Sequence, residues 1–185
     1  MAILVDEARW PWRDSYYCHL VSDSELAELH EFARQLGQRR VGFQGDHYDI
    51  DIVDRTRAIE MGARACTSRE VVRSLKAAGL RLRPSQFDKW QLLGRAEHPV
   101  DGRDLTRWGV EADVAERAGM HLDGAQDAVT AAFALIRPGV QAVVFGGEGP
   151  GHDRQEDPEA GVHWRVDRDN RWALEVMSRP LAVTE

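Results

Sequence analysis

Short apolar runs alternate with segments of helical period through the first 80 residues. Ala2 to Val5 is an unbroken apolar run that meets Asp6, the pattern of a buried strand delivering a carboxylate to its C-terminal edge. Glu7 to Asp14 breaks the pattern and, with Pro11 between Trp10 and Trp12, reads as a loop lined with aromatic surface. Tyr16 to Val21 is a second strand, and Ser22 or Asp23 is placed to cap the helix after it. Leu26, Leu29, His30 and Ala33 then recur at helical spacing up to Leu36, where Gly37 ends the helix. Val53 to Met61 forms a second helix ended by Gly62, and Arg64 to Cys66 another strand. Thr67 opens a third helix, with Val71, Val72, Leu75 and Ala78 on one face up to Gly79. This alternation predicts an α/β unit, a small, mainly parallel sheet with flanking helices.

The pattern changes after Arg81-Leu82-Arg83-Pro84, which marks a junction between residues 1–83 and 84–185. Phe87, Trp90, Leu92 and Leu93 suggest a short docking helix, and Gly94 to Thr106 is polar and irregular. Val110 to Ala118 and Leu122 to Ile136 read as helices, the second apolar at nearly every turn until Arg137-Pro138-Gly139. Gln141 to Phe145 is a strand, and Gly146 to Gly151 a glycine-rich loop without the Gly-Lys-Ser/Thr ending of a P-loop. After an acidic stretch, Val162 to Val166 and Trp172 to Met177 alternate as a hairpin with its turn near Asp169-Asn170. The second half is thus expected to be a helical and β-hairpin extension, too apolar at Trp90, Leu92, Leu93 and 122–136 to stay apart from the first.

Composition narrows the class. With 185 residues, 43% hydrophobic and 30% charged, the chain has globular usage and no apolar run of bilayer length. Two widely spaced cysteines, Cys18 and Cys66, and an N-terminus unlike a signal peptide suggest a soluble cytoplasmic protein with reduced thiols. The net charge is −7, and the two halves do not share it equally. Residues 1–85 are balanced, whereas residues 86–185 carry 11 basic against 18 acidic groups. An acidic half disfavours an extended nucleic-acid backbone as partner and leaves a small anionic molecule or nucleotide.

The chemistry concentrates in Gly42-Phe-Gln-Gly-Asp46-His47-Tyr48-Asp49-Ile50, where two carboxylates, an imidazole and a phenol follow one another between glycines and an apolar exit. Asp6, His19, Asp23, Asp46, His47 and Asp49 offer oxygen and imidazole ligands suited to Mg²⁺, Mn²⁺ or Zn²⁺. Asp6, His19 and Asp23 are the preferred metal set, since parallel strands would bring Asp6 and Asp23 to one sheet edge. In a metal-free alternative His47 exchanges a proton, Asp6 or Asp46 orients its ring, and Tyr48 donates to a developing anion. Asp46, Arg39 and Arg40 would then line the ligand site, the arginines clamping phosphate or carboxylate. The structural alternative has Tyr48 and Ile50 pointing inward as packing. Further along, Asp123 and Asp127 would share a helix face, faintly similar to the last metal-bearing helix of ribonuclease H-like nucleases. Acids in a first helical turn are also favoured by the helix dipole alone.

The series Ile-Leu-Val-Asp6, His19-Leu-Val-Ser-Asp23, Glu28-Leu-His30, Phe43-Gln-Gly-Asp46-His47-Tyr48-Asp49 and Met61-Gly-Ala resembles the uncharacterised bacterial and phage family termed domain of unknown function 4031. The resemblance covers roughly residues 1–80. It implies that Asp6, His19, Asp23, His47 and Tyr48 occupy the family's recurring polar positions, and that residues beyond about 85 are an extension. The functional expectation is hydrolysis of phosphoester bonds in a nucleotide or similar small molecule, metal-assisted or by acid and base. The alternatives are a binding module for a small anionic ligand or nucleotide, and a metal-dependent nuclease.

Overall fold

The computed structural model describes residues 1–12, 14–83, 86, 88–149, 157–166 and 171–178. The expected junction at Pro84, the docking residue Phe87, the end of the glycine-rich loop at Pro150-Gly151, most of the acidic stretch and the turn at Asp169-Asn170 lie outside them. Two compact units result, Met1–Asp88 and Lys89–Glu185.

The first unit is built on β3 (Ser15–Ser22), which carries β1 (Ile3–Val5) and β2 (Trp10–Trp12) end to end along one edge and β4 (Tyr48–Asp51) along the other. All three pair with β3 antiparallel, and only β5 (Arg64–Ala65) runs parallel, beside β1. The sheet is mixed rather than mainly parallel. The sequence from Glu7 to Asp14, expected as a loop, instead turns back through a strand, because Trp10, Pro11 and Trp12 align with Tyr17, Tyr16 and Ser15. A short β1–β3 link of this kind can only close antiparallel, since a parallel crossover needs a dozen or more residues.

Period-two alternation divides the faces of β3. Cys18 and Leu20 join Ile50 and Tyr48 of β4 against α1 (Leu26–Leu36) and α2 (Ile52–Glu60) in one core. On the other face Val21 and Leu4 pack under α3 (Ser68–Ala77) through Val71 and Leu75. That second face bears another row beyond α3: Asp6, His19, Tyr17, Asp49, Trp10 and Trp12. A single sheet face is therefore apolar at one end and polar and aromatic at the other.

Local signals account for the helix ends. Gly37, at φ 85°, is the C-cap of α1, and Thr67 with Glu70 forms a capping box on α3. Asp23 does not cap α1. Its carboxylate accepts the Ala2 backbone N–H at 2.7 Å, while Ser22 Oγ accepts the N–H groups of Ser24 and Glu25.

The second unit is an antiparallel sheet in the order β6 (Gln91–Ala96), β7 (Val129–Arg137), β8 (Val140–Glu148), β10 (Arg171–Met177), β9 (Val162–Val166). One face packs against α4 (Gly102–Arg107) and α5 (Ala112–His121) through Leu105, Val114, Ala118, Val143, Phe145 and Leu174. Five expectations fail here. Trp90 to Leu93 leads into a strand, not a docking helix, and part of the irregular stretch 94–106 forms α4. Of the expected helix 122–136, residues from Val129 onward form strand β7 after a 3-10 turn, because the apolar run 131–136 carries no period and its Ala and Leu favour helix only in isolation. Pro138-Gly139, with Gly139 at φ 76°, is the hairpin turn to β8 rather than a helix stop. Gly146 and Gly147 likewise continue β8, paired with Ala173 and Trp172 of β10, and a Cβ on Gly147 would lie 2.2 Å from the Trp172 ring.

Candidate metal centre

The uncovered end of the first sheet gathers two carboxylate–imidazole pairs. Asp6 leaves the end of β1 on the same face as His19 and is fully buried. One carboxylate oxygen accepts the backbone N–H of His19 at 2.7 Å, and the other lies 2.9 Å from His19 Nδ1. That second oxygen also accepts the hydroxyl of Ser68 at 2.6 Å, from the first turn of α3. Parallel pairing of β5 with β1 brings the N-terminus of α3 to this point. Arg55, on α2, donates its Nε–H to the Asp6 backbone carbonyl at 2.6 Å.

The second pair repeats the arrangement. Asp46 is fully buried, and its Oδ1 lies 2.5 Å from His47 Nδ1. Its Oδ2 accepts from Arg81 Nη1 at 3.1 Å and from the Leu82 backbone N–H at 3.0 Å. On the far side of the ring, His47 Nε2 is 3.5 Å from Asp49 Oδ1. The two imidazoles meet edge to face with centroids 5.1 Å apart.

Electrostatics follow from this packing. Burial alone would push Asp6 up, but hydrogen bonds from the His19 ring, the Ser68 hydroxyl and the His19 backbone hold it below the ordinary carboxylate range. Burial is likewise outweighed at Asp46, by His47, the Leu82 N–H and Arg81. Burial opposes the charge on His47, yet Asp46 and Asp49 on either side raise it to about 9. The two carboxylates thus favour the protonated form of the ring.

One donor atom each from His19, His47 and Asp49 lies within 4.8 Å of the other two, the one such His/Cys/Asp/Glu grouping among the described residues. Each imidazole engages a buried carboxylate through Nδ1, and His47 Nε2 faces Asp49. Carboxylate–histidine pairs of this form fix the tautomer and raise the basicity of metal-ligating rings. Tetrahedral donors at metal distances of about 2.0 to 2.2 Å stand roughly 3.3 to 3.6 Å apart. Asp49, with its side chain 47% exposed at the surface, is the member able to swing and close that gap.

The expected site residues are thus only partly assembled together. Asp6, His19, Asp46 and His47 converge, but Asp6 and Asp46 buttress the rings instead of facing outward. Asp23 is not with them, because antiparallel pairing places it at the opposite end of β3, beside Ala2 and the N-terminal amine. Tyr48 points through the sheet from His47 by strand alternation and is buried, 3.0 Å from His30 Nδ1. Arg40 joins that other cluster, donating to Tyr48 at 3.4 Å and lying over Phe43, and Arg39 immediately precedes the 3-10 turn that Arg40 opens. Inward packing of Tyr48 and Ile50 is what the structure shows. Asp123 and Asp127 share no helix face, since α5 ends at His121 and Asp127 lies in a 3-10 turn. The thiols are inert by position: burial drives Cys18 up to about 12 and raises Cys66.

Residues 3–78 match the family described as "Protein of unknown function (DUF4031)". The matched segment holds both carboxylate–imidazole pairs, Asp49, Arg55 and Ser68, while Arg81 and Leu82 follow just after it. No curated protein and no solved structure matches the chain significantly. Ser68, Arg55 and Arg81 are the supporting residues that sequence reasoning missed. Ser68 had a usable signal, because a helix start after a strand parallel to β1 must adjoin the end of β1.

Proposed function

We infer that the N-terminal unit binds a divalent transition metal through His19, His47 and Asp49 and uses it to hydrolyse a phosphoester in a small anionic substrate. The observation that carries this reading is the pair of imidazoles, each held at Nδ1 by a buried carboxylate and converging on one surface acid. Two nitrogens with one oxygen favour Zn²⁺ or Mn²⁺ over Mg²⁺, which prefers an oxygen shell. Such an ion polarises a phosphoryl oxygen and lowers the pKa of a bound water to about 7.

The chain's own residues supply the rest. Asp6 and Asp46 keep both rings in the ligating tautomer, Ser68 and Arg81 keep those carboxylates in place, and Arg55 ties the backbone of Asp6 to α2. His47 must release its proton for Nε2 to bind a cation, so metal binding expels a proton.

Titration calorimetry of the full chain with Zn²⁺, Mn²⁺ and Mg²⁺, followed by a phosphoester panel, tests the reading. One tight site for Zn²⁺ or Mn²⁺ that disappears in His19→Ala and Asp49→Ala, with metal-dependent turnover, is expected. No saturable site, or a site indifferent to both substitutions, would sink it. Binding without turnover would leave the protein a metal-dependent binding module.

A further inference from the structure

We propose that Trp10 is the platform on which the base of a nucleotide stacks while its phosphate is held at His19, His47 and Asp49. The proposal rests on the metal-site reading above and narrows its substrate to base-bearing phosphates. Trp10 and Trp12 are 58% and 55% exposed on a three-residue strand, and both share the sheet face that carries His19 and Asp49. Scattered exposed apolar residues need no explanation, but two tryptophans bordering a ligand cluster form a continuous surface with it. Trp10 is in ring contact with His19, centroids 6.3 Å apart, so its indole adjoins a metal-ligating imidazole. Trp12 is held edge-on against Tyr17 at 5.3 Å.

The occupant follows from what the surroundings accept. β2 is an edge strand, and Pro11 at its centre removes the N–H that strand addition by another chain would need. The tryptophans therefore serve the face of the sheet. A ligand here must offer a flat π surface to indole and, one residue away, oxygen atoms to a cation. The carboxylate of Asp49 would repel a bare phosphate, and a cation held at His19, His47 and Asp49 would offset that repulsion. A base joined through ribose to a phosphate meets both demands, and base–aromatic stacking tolerates any base.

The test uses the full chain with Mn²⁺, titrated with adenosine 5′-monophosphate and with ribose 5-phosphate by calorimetry and tryptophan fluorescence. The monophosphate is expected to bind about 5- to 100-fold more tightly and to quench fluorescence. Trp10→Leu should bring its affinity down to that of ribose 5-phosphate, with Mn²⁺ and ribose 5-phosphate affinities unchanged, and Trp10→Phe should restore most of the difference. Equal affinities in the wild type, or a difference that survives Trp10→Leu, overturns the proposal. Monophosphate that fails to bind a Mn²⁺-loaded protein overturns it while leaving the metal site standing. Should Mn²⁺ itself fail to bind, the metal reading falls, and absence of quenching by adenosine removes the platform as well. Self-association abolished by Trp10→Leu would assign the surface to a second copy and likewise overturn it.

Discussion

Gln141 in the second unit and Asp6 and Asp46 in the first are buried polar side chains that serve different ends. In the second, Gln141 accepts the Glu111 N–H at 2.8 Å and donates to the Gly109 carbonyl at 3.1 Å, while the Ser178 hydroxyl accepts the Gln141 N–H at 2.9 Å. Those side chains satisfy backbone groups where α5 and β8 begin, beside the end of β10, and nothing titratable depends on them. In the first, Asp6 and Asp46 are just as buried, yet each spends an oxygen on an imidazole that reaches the surface. A buried amide that ties down backbone is a structural device. A buried carboxylate that aims a ring outward costs desolvation, and the gain it brings is an oriented ligand.

The sharpest break of that contrast is Asp46→Ala. It strands the Arg81 charge and the His47 ring together, so a loss of about 3 to 5 kcal/mol is expected in the first unit, measured by urea unfolding, with loss of Zn²⁺ binding. A cost below 1 kcal/mol would mean that Asp46 is no more than a solvated acid.

Next in size is the pH dependence of the metal-free protein. His47 is raised from 6.5 to about 9, so its contribution is complete below pH 6.5 and is lost as pH climbs through about 9. The full loss is at most about 3 kcal/mol. Asp6 and Asp46 are depressed, so their contribution is present above about pH 4 and disappears as pH falls below that. Thermal unfolding in a chelator should therefore be most resistant between about pH 4 and 6.5, and His47→Gln should flatten the alkaline decline. An alkaline limb unchanged by His47→Gln would refute the assignment.

Gln141→Ala should cost about 2 kcal/mol, since it leaves the Glu111 N–H and Gly109 carbonyl short of a partner. Metal affinity should stay at the wild-type value, and a change there would erase the distinction between the units. The smallest effect belongs to Arg81→Met, which leaves Asp46 its Leu82 N–H and His47. About a tenfold weakening of Zn²⁺ affinity is expected by competition titration, partly restored in Arg81→Lys.

What the sequence by itself determined was local. The strand Ile3–Val5, the helices from Leu26, Ile52 and Ser68, their glycine stops and the Thr67 capping box are all readable from spacing and caps, because a helix end is decided within a few residues. Concentration of chemistry at Asp46-His47-Tyr48-Asp49 is legible for the same reason. Only tertiary pairing decided strand direction, and with it the membership of the site. Antiparallel β1 and β3 carry Asp23 away from Asp6 and bring His19 to it, and the pleat of β4 sends Tyr48 inward and Asp49 out. The run 129–137 is a strand because the sheet pairs with it on both edges, a preference that no single-residue propensity records. Ser68, Arg55 and Arg81 enter through contacts 35 to 62 residues apart in the chain, beyond the reach of any local pattern.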